Sequence, residues 1–518
     1  MLKKAAVALV GLLVVGSIAL FLFARTALTG DNVRAAVASQ VSAAIAQPVT
    51  IGGLDASIYP RVTMKLKDVA IGQPPTIQLR DVRLGTDLRA LFSRRIEHAD
   101  VRIDGAHVQL PLPALTLGSS NGASAGAPVE IVSIDEIVLN AVEVTHGDRT
   151  LRGDIELVPQ GSGVQLRRVA LAADDTTIQM TGALSSLAPL EGRIDASTPA
   201  VNLDRMFAFL SDFAGAATSG SGGRSSKALD GKLTFVLSAG KATAGTLTLV
   251  DLKTTALITS AGVALDPASF GVFGGRYEGS INLAVGNPPR FRWRAKVNGI
   301  DMPSLMTFAG SPNTISGTLG GSIELESGGL EMDKALRGAR GSARIDITNG
   351  SIAGLSLLRT VVLATSGRGG YAVSAASAVE SSGQKAEAEK FSRLGATLAL
   401  SGGVITTRDF SMTSTDADLT GAGTIRMATM VTNLDGQVRL SEALSQKGGT
   451  DLYRYTQEGG RVTLPATVSG PLANLSVTID VAQAATRAVK NRANEELNKA
   501  IERNLPGGLG GLFKKPPH

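Results

Sequence analysis

Tyr277 to Val297 reads YEGSINLAVGNPPRFRWRAKV, and its two halves decide the fold. In the first, Tyr277, Gly279, Ile281, Leu283 and Val285 alternate with Glu278, Ser280, Asn282 and Ala284; in the second, Phe291, Trp293, Ala295 and Val297 alternate with Arg292, Arg294 and Lys296. Alternation with period two sends one set of side chains to a face that avoids water and the other to a solvated face, which is the signature of a β-strand. The pattern recurs at Ile323-Leu325, Ala343-Ile345-Ile347, Val101-Ile103, Val108-Leu110, Leu233-Phe235-Leu237, Leu398-Leu400 and Leu475-Val477-Ile479, counting alternate positions. The dipeptides Asp104-Gly105, Asp230-Gly231, Asn298-Gly299, Asn349-Gly350, Gly402-Gly403 and Asp435-Gly436 read as turns between runs. On this reading glycine, 60 of 518 residues, is abundant because many short strands need many tight turns. The expected fold is mostly β: an elongated antiparallel β-meander forming a groove or twisted repeat sheet, with an N-terminal transmembrane helix and a C-terminal helix.

The two termini depart from this pattern. Ala5 to Phe23 is an uncharged run behind Lys3 and Lys4, close to the roughly 20 residues that cross a bilayer as a helix. A cleaved secretory signal has a shorter apolar part and small residues at its cleavage site, whereas Arg25 interrupts Ala24-Arg25-Thr26-Ala27. A retained anchor is the favoured reading, with Lys3 and Lys4 on the cytoplasmic side and the bulk of the chain outside. Asp31 to Ala46 has a helical period, with Val33, Ala36, Val37, Val41, Ala44 and Ile45 on one face, Asp31 as N-cap and Gln47-Pro48 as stop. Beyond Asp480, Ala485, Val489, Ala493, Leu497 and Ile501 recur every four residues, a weakly amphipathic helix suited either to a membrane surface or partner or to capping the sheet.

Composition excludes several classes. The chain has no cysteine, which removes disulfides, cysteine–zinc sites, iron–sulfur clusters and thiol catalysis, and suits an oxidising compartment. The net charge of +6 is spread singly along alternating segments, with no basic stripe among aromatics to hold nucleic acid. His98, His107, His146 and His518 lack metal-ligand spacing. Gly118-Ser119-Ser120-Asn121-Gly122 and Gly122-Ala123-Ser124-Ala125-Gly126 match a nucleophile-elbow string but lie inside a Gly/Ser/Ala tract. No catalytic residue, metal site or cofactor is expected, and the chain reads as a non-enzyme. The expected segments are 1–29 anchor, 30–117 helix plus strands, 118–127 linker, 128–214 β region, 215–228 linker, 229–390 central β-repeat, 391–480 C-terminal β region and 481–518 helical tail.

Two blocks of residues resemble the AsmA family of single-pass inner-membrane proteins. The first runs through Gln47-Pro48-Val49-Thr50-Ile51-Gly52, Tyr59-Pro60-Arg61-Val62-Thr63-Met64, Asp68-Val69-Ala70-Ile71-Gly72, Asp87-Leu88-Arg89-Ala90-Leu91-Phe92 and Val101-Arg102-Ile103-Asp104-Gly105-Ala106-His107-Val108. The second runs through Phe391-Ser392-Arg393-Leu394, Gly403-Val404, Asp409-Phe410-Ser411-Met412, Leu419-Thr420-Gly421-Ala422-Gly423 and Leu464 to Leu472. The stretch between them is less distinctive, and Ala473-Asn474 stands where such proteins often carry another proline. The resemblance implies an inner-membrane-anchored periplasmic β-groove that binds phospholipid acyl chains or helps move them towards the outer membrane. The alternative is a non-catalytic periplasmic scaffold for outer-membrane protein or lipopolysaccharide assembly, with a protein partner there. Tyr277, Ile281, Leu283, Val285, Phe291, Trp293 and Val297 are the candidate groove-lining residues; alternation by itself fits a packed core equally well.

The topology is directly testable. A reporter that is active only after export, fused at Ala125, is expected to be active and membrane-bound. A mature chain starting near Leu28 in the soluble periplasmic fraction would overturn the retained anchor.

Overall fold

The structure, a computed structural model, describes residues 30–45, 47–57, 61–87, 95–111, 130–187, 189–219, 231–329, 338–353, 355, 357, 361, 388–447, 456–471, 475–480, 486, 489–497 and 499. They fall in two compact units, Met1–Phe270 and Gly271–His518. Among them no helix is long and apolar enough to cross a membrane; Lys3, Lys4 and the Ala5–Phe23 run lie outside them.

In the first unit α1 (Gly30–Ile45) precedes β1 (Val49–Ser57), β2 (Val62–Ile71), β3 (Ile77–Thr86), β4 (Arg95–Ile96), β5 (Ala99–Gln109), β6 (Glu130–Ile131), β7 (Ile134–His146), β8 (Arg149–Gln160), β9 (Gly163–Ala173), β10 (Thr176–Leu187) and β11 (Leu190–Asn202). Helix α2 (Leu203–Ser219) then leads to β12 (Leu233–Ala244), β13 (Leu247–Thr259) and β14 (Gly262–Val272). Pairing follows chain order, mostly antiparallel. The purely antiparallel expectation is corrected at β5–β7, β11–β12 and the short β4–β6, which pair parallel. Returning a strand in the same direction requires a crossover, and α2 is part of the one between β11 and β12.

The second unit holds β15 (Gly275–Ala284), β16 (Arg290–Asp301), α3 (Met302–Phe308), β17 (Ile315–Gly328), β18 (Arg340–Ile352), β19 (Glu389–Ser401), β20 (Val404–Ser414), β21 (Ala417–Arg426), β22 (Val431–Leu440), α4 (Glu442–Lys447), β23 (Gln457–Glu458), β24 (Arg461–Pro471) and β25 (Ser476–Ile479). It is antiparallel throughout its described pairings.

Helix α1 starts at Gly30, just before the expected cap, and buries Val37, Val41 and Ile45 against Met64, Leu66, Val82 and Val101. Four-residue spacing keeps those three side chains on one face, as the sequence period requires. At the other end of the chain residues 489–497 are helical, and their stripe residues Val489 and Leu497 are exposed. Alternation dominates the reading around Asn202 and Asp301, so α2 and α3 are not expected from it. Both are nevertheless capped alike: Asn202 Oδ1 accepts the Arg205 N–H at 3.0 Å, and Asp301 Oδ2 accepts the Ser304 N–H at 2.9 Å.

The turn assignments need correction. Gly402-Gly403 does join two strands, but Asp104-Gly105, Asn298-Gly299, Asn349-Gly350 and Asp435-Gly436 lie inside β5, β16, β18 and β22; Asp230 lies outside the described residues. Asn298-Gly299 sits where the β16–β17 register shifts, with Gly299 at φ 72°, and so marks a β-bulge inside a longer strand. Elsewhere glycine permits close approach: a Cβ on Gly321 would lie 2.2 Å from the Arg344 carbonyl oxygen of the neighbouring strand. Glycine is thus spent within strands as well as between them. Carboxylates support two further irregular points. Asp154 Oδ1 accepts the Ala141 N–H at 2.9 Å, and Asp409 Oδ1 accepts the Thr397 N–H at 2.7 Å.

The α3 cap generates a pH prediction. Hydrogen bonds from Ser304 hold the Asp301 carboxyl below the usual aspartate range. A lowered folded-state value means that its stabilisation is complete above the unfolded value and is lost as pH falls through the folded one. Asp301→Ala is therefore expected to lower Tm at neutral pH, with the difference from the native chain shrinking on acidification; a pH-independent difference would remove the charged cap.

Candidate functional site

Seven residues were singled out by alternation, and the β15–β16 register brings six of them into cross-strand pairs: Tyr277 opposite Val297, Ile281 opposite Trp293, and Leu283 opposite Phe291. All six therefore share one face. Val285 follows the end of β15 and is 72% exposed, while Leu283 is 39% exposed. The other face carries cross-strand ion pairs, Arg292 with Glu326 and Arg294 with Glu324. All four side chains are well exposed, so each pair contributes at most about 1 kcal/mol.

Following the register outward shows how the apolar face is organised. One row runs Ile281, Trp293, Leu325, Gly341, Leu400, Ile405, Ile425, crossing β15 to β21. Every member is half-buried. At about 4.8 Å per strand the row extends roughly 29 Å. Six residues along the strands, a second row runs Leu319, Ile347, Leu394, Met412, Leu419, Val438, Leu464. There Ile347 through Leu464 are buried in one cluster with Met302 and Met306 of α3 and with Leu355, Leu357 and Val361. The same face is a closed core at one end of the strands and half-open at the other. Alternation shows which side chains share the face, but only the register and α3 show which of them are covered.

Tyr277 and Trp293 add a polar pair. Trp293 Nε1 donates to Tyr277 Oη at 2.8 Å. Burial pushes the Tyr277 phenol above its ordinary value, while this hydrogen bond acts in the opposite direction. Gly279 makes room for the pair, because a Cβ there would meet Tyr277 Oη at 2.8 Å and the Arg294 carbonyl oxygen at 2.1 Å. Sequence alternation grouped these aromatics without revealing their contact.

The first unit repeats the arrangement. Leu157, Leu166, Gly182, Ile194 and Phe235 form a half-buried row across β8 to β12. Phe209 of α2 is buried with Ala173, at the end of β9, and with Leu110, which follows β5, and Met206 packs against them. Among possible chemical groups, His98 Nδ1 lies 3.1 Å from the Asp135 carboxylate, a surface pair that sequence spacing does not reveal. No group of three or more His, Asp or Glu among the described residues is arranged to hold a metal ion.

Residues 223–410 match the family model described as AsmA family. The matched stretch is similar to the AsmA family over a little more than a third of the chain. It falls mainly on the stretch that the residue-level resemblance left as less distinctive, and of the quoted blocks it includes only Phe391–Leu394, Gly403-Val404 and Asp409-Phe410. It contains the whole of the β15–β16 hairpin and the half-open row as far as Ile405. No curated protein and no solved structure matches the chain.

The two rows predict losses of different size on truncation. Leu419→Ala, in the closed row, is expected to cost about 2–5 kcal/mol because it leaves a cavity among fixed neighbours. Leu400→Ala, in the half-open row, removes a side chain that already meets solvent and should cost distinctly less. Urea unfolding of both variants measures the difference; equal losses would mean that the row is closed.

Proposed function

We propose that the chain is a non-catalytic lipid-binding protein whose half-open apolar rows hold acyl chains, and that it supports phospholipid transfer towards the outer membrane. Anchorage in the inner membrane by the Ala5–Phe23 segment, with the N-terminus cytoplasmic and the bulk periplasmic, belongs to the same proposal. The observation that carries it is the half-buried row from Ile281 to Ile425. A row of this kind presents apolar side chains along its length without enclosing them. An alkyl chain laid on it exchanges water for hydrocarbon contact, and complete burial of one methylene contributes about 0.8 kcal/mol. The AsmA-family match over residues 223–410 supports the reading, since the resemblance associates that family with lipid movement and outer-membrane assembly.

Trp293, the one tryptophan of the chain, stands in this row and supplies the test. Phosphatidylcholine brominated on its acyl chains, delivered in mild detergent to the full chain, is expected to quench Trp293 emission. Ile281→Asp and Leu283→Asp are expected to retain the thermal melt while losing the quenching, because a carboxylate on a half-open face keeps part of its hydration but cannot be solvated by an acyl chain. Collapse of both melts would assign the positions to an ordinary core and favour the scaffold alternative. Unquenched Trp293 in the native chain would overturn lipid binding at this row.

A further inference from the structure

The two strand ends of the second unit differ in a way that the row alone does not require. Where the row is open, four large apolar residues are exposed: Leu283, Val285, Met430 and Val431. Val285 begins the β15–β16 connection Val285-Gly286-Asn287-Pro288-Pro289, and Met430 closes the β21–β22 connection. Both connections lie at the same end of their strands, because Ala284 faces Arg290 in one hairpin and Arg426 faces Val431 in the other. Charge at this end is one-sided among the described residues. Arg290, Arg292, Arg340 and Arg426 stand there, against the single carboxylate Glu326, which Arg292 engages. Register places Arg292, Glu326 and Arg340 in one line across the sheet, and Arg426 continues that line through Ser401 and Val404. The other ends of these strands, next to α3 and α4, are mixed in charge, with Asp301, Glu389, Asp416, Asp418 and Glu442 beside Arg276, Lys390, Arg439 and Arg461, and Phe308 of α3 is the exposed large apolar residue there among the described ones.

Exposed apolar side chains bordered by arginines fit the boundary of a bilayer, where hydrocarbon and anionic headgroups lie within one side-chain length of each other. We propose that this end of the second unit docks on an anionic lipid surface, with Val285 and Met430 entering the headgroup layer and Arg290, Arg340 and Arg426 meeting lipid phosphates. Leu283 and Phe291 then connect the surface to the half-open row, so an acyl chain passes from bilayer to row without crossing water. Charge complementarity and continuity with the row select the bilayer over a second copy of the chain, whose matching edge would bring the same arginines together. The proposal rests on the acyl-chain reading of that row.

The chain has no cysteine, so a single introduced thiol labels one site. Full-length protein is held in nanodiscs by its N-terminal segment, with Val285→Cys or, as a control at the opposite end, Asp416→Cys carrying an environment-sensitive fluorophore. Added vesicles of phosphatidylglycerol and phosphatidylcholine are expected to brighten and blue-shift the label at 285 and not at 416, with loss of the response in high salt. Vesicles of phosphatidylcholine alone should act weakly, and Arg290→Glu with Arg340→Glu should abolish the shift while leaving quenching of Trp293 by detergent-delivered brominated lipid intact. Equal responses at 285 and 416, or none at 285 while that quenching persists, would overturn docking and leave the lipid-binding row standing. Loss of the quenching itself in the native chain would instead remove the row. A response at 285 to polyglutamate and not to vesicles would assign the edge to an acidic protein and likewise overturn the proposal.

Discussion

Backbone hydrogen bonding along the described strands is met by pairing each strand with its neighbours, and this constraint governs the molecule. Pairing of this kind produces a surface that is apolar on one face and polar on the other, in every strand at once. The apolar face must then be covered, and the covering elements are few. Helix α1 buries Val37, Val41 and Ile45 over the first strands, α2 contributes Phe209, and α3 contributes Met302 and Met306. Where these reach, side chains such as Met64, Met412 and Leu419 are almost wholly removed from solvent. Where they do not, the face stays half-open at residues such as Trp293, Leu325, Leu400 and Ile425. The candidate site is the uncovered remainder of the core.

The coexistence of core and site on one face explains how an exposed apolar row is compatible with a stable fold. Burial at the covered end fixes the strands, and the ladder carries that order along each strand to the open end. Irregular points are held by side chains acting as substitutes for the ladder, as Asp154 does at Ala141 and Asp409 at Thr397. The solvated face contributes ion pairs whose individual worth is small, so it confers solubility and register more than stability.

The β-rich architecture and the facing of the candidate residues were legible in the sequence because period two is a direct image of strand geometry, as in Tyr277 to Val285 and Phe291 to Val297. Their exposure was not legible. Ile347 and Ile345 occupy equivalent places in the same alternation, yet Ile347 is buried in the cluster that includes α3 while Ile345 packs against that cluster and stays half-buried. Nor was the use of glycine: Asn298-Gly299 and Asp435-Gly436 have the composition of hairpin turns, yet Asn298 pairs with Arg276 and Asp435-Gly436 pairs with strands on both sides, opposite Gly421-Ala422 and Ala466-Thr467. Helices α2 and α3 escaped for a related reason. Asn202 and Asp301 are good caps, but each stands at the end of a strand whose alternation dominates the local pattern.

The antiparallel ladder of the second unit also bears on how such a chain can change in length. From β15 to β22 each strand follows its predecessor in space, so a hairpin inserted as a whole would find its partners on either side without disturbing any other pair. An even number of strands restores the direction of the chain, and every later side chain keeps the face it had. A single added strand would reverse the course of all that followed and move the α3-covered end of later strands to the open side. Growth by pairs is therefore nearly neutral, while growth by one is not. Parallel joints such as β5–β7 and β11–β12 are the places where that parity is reset.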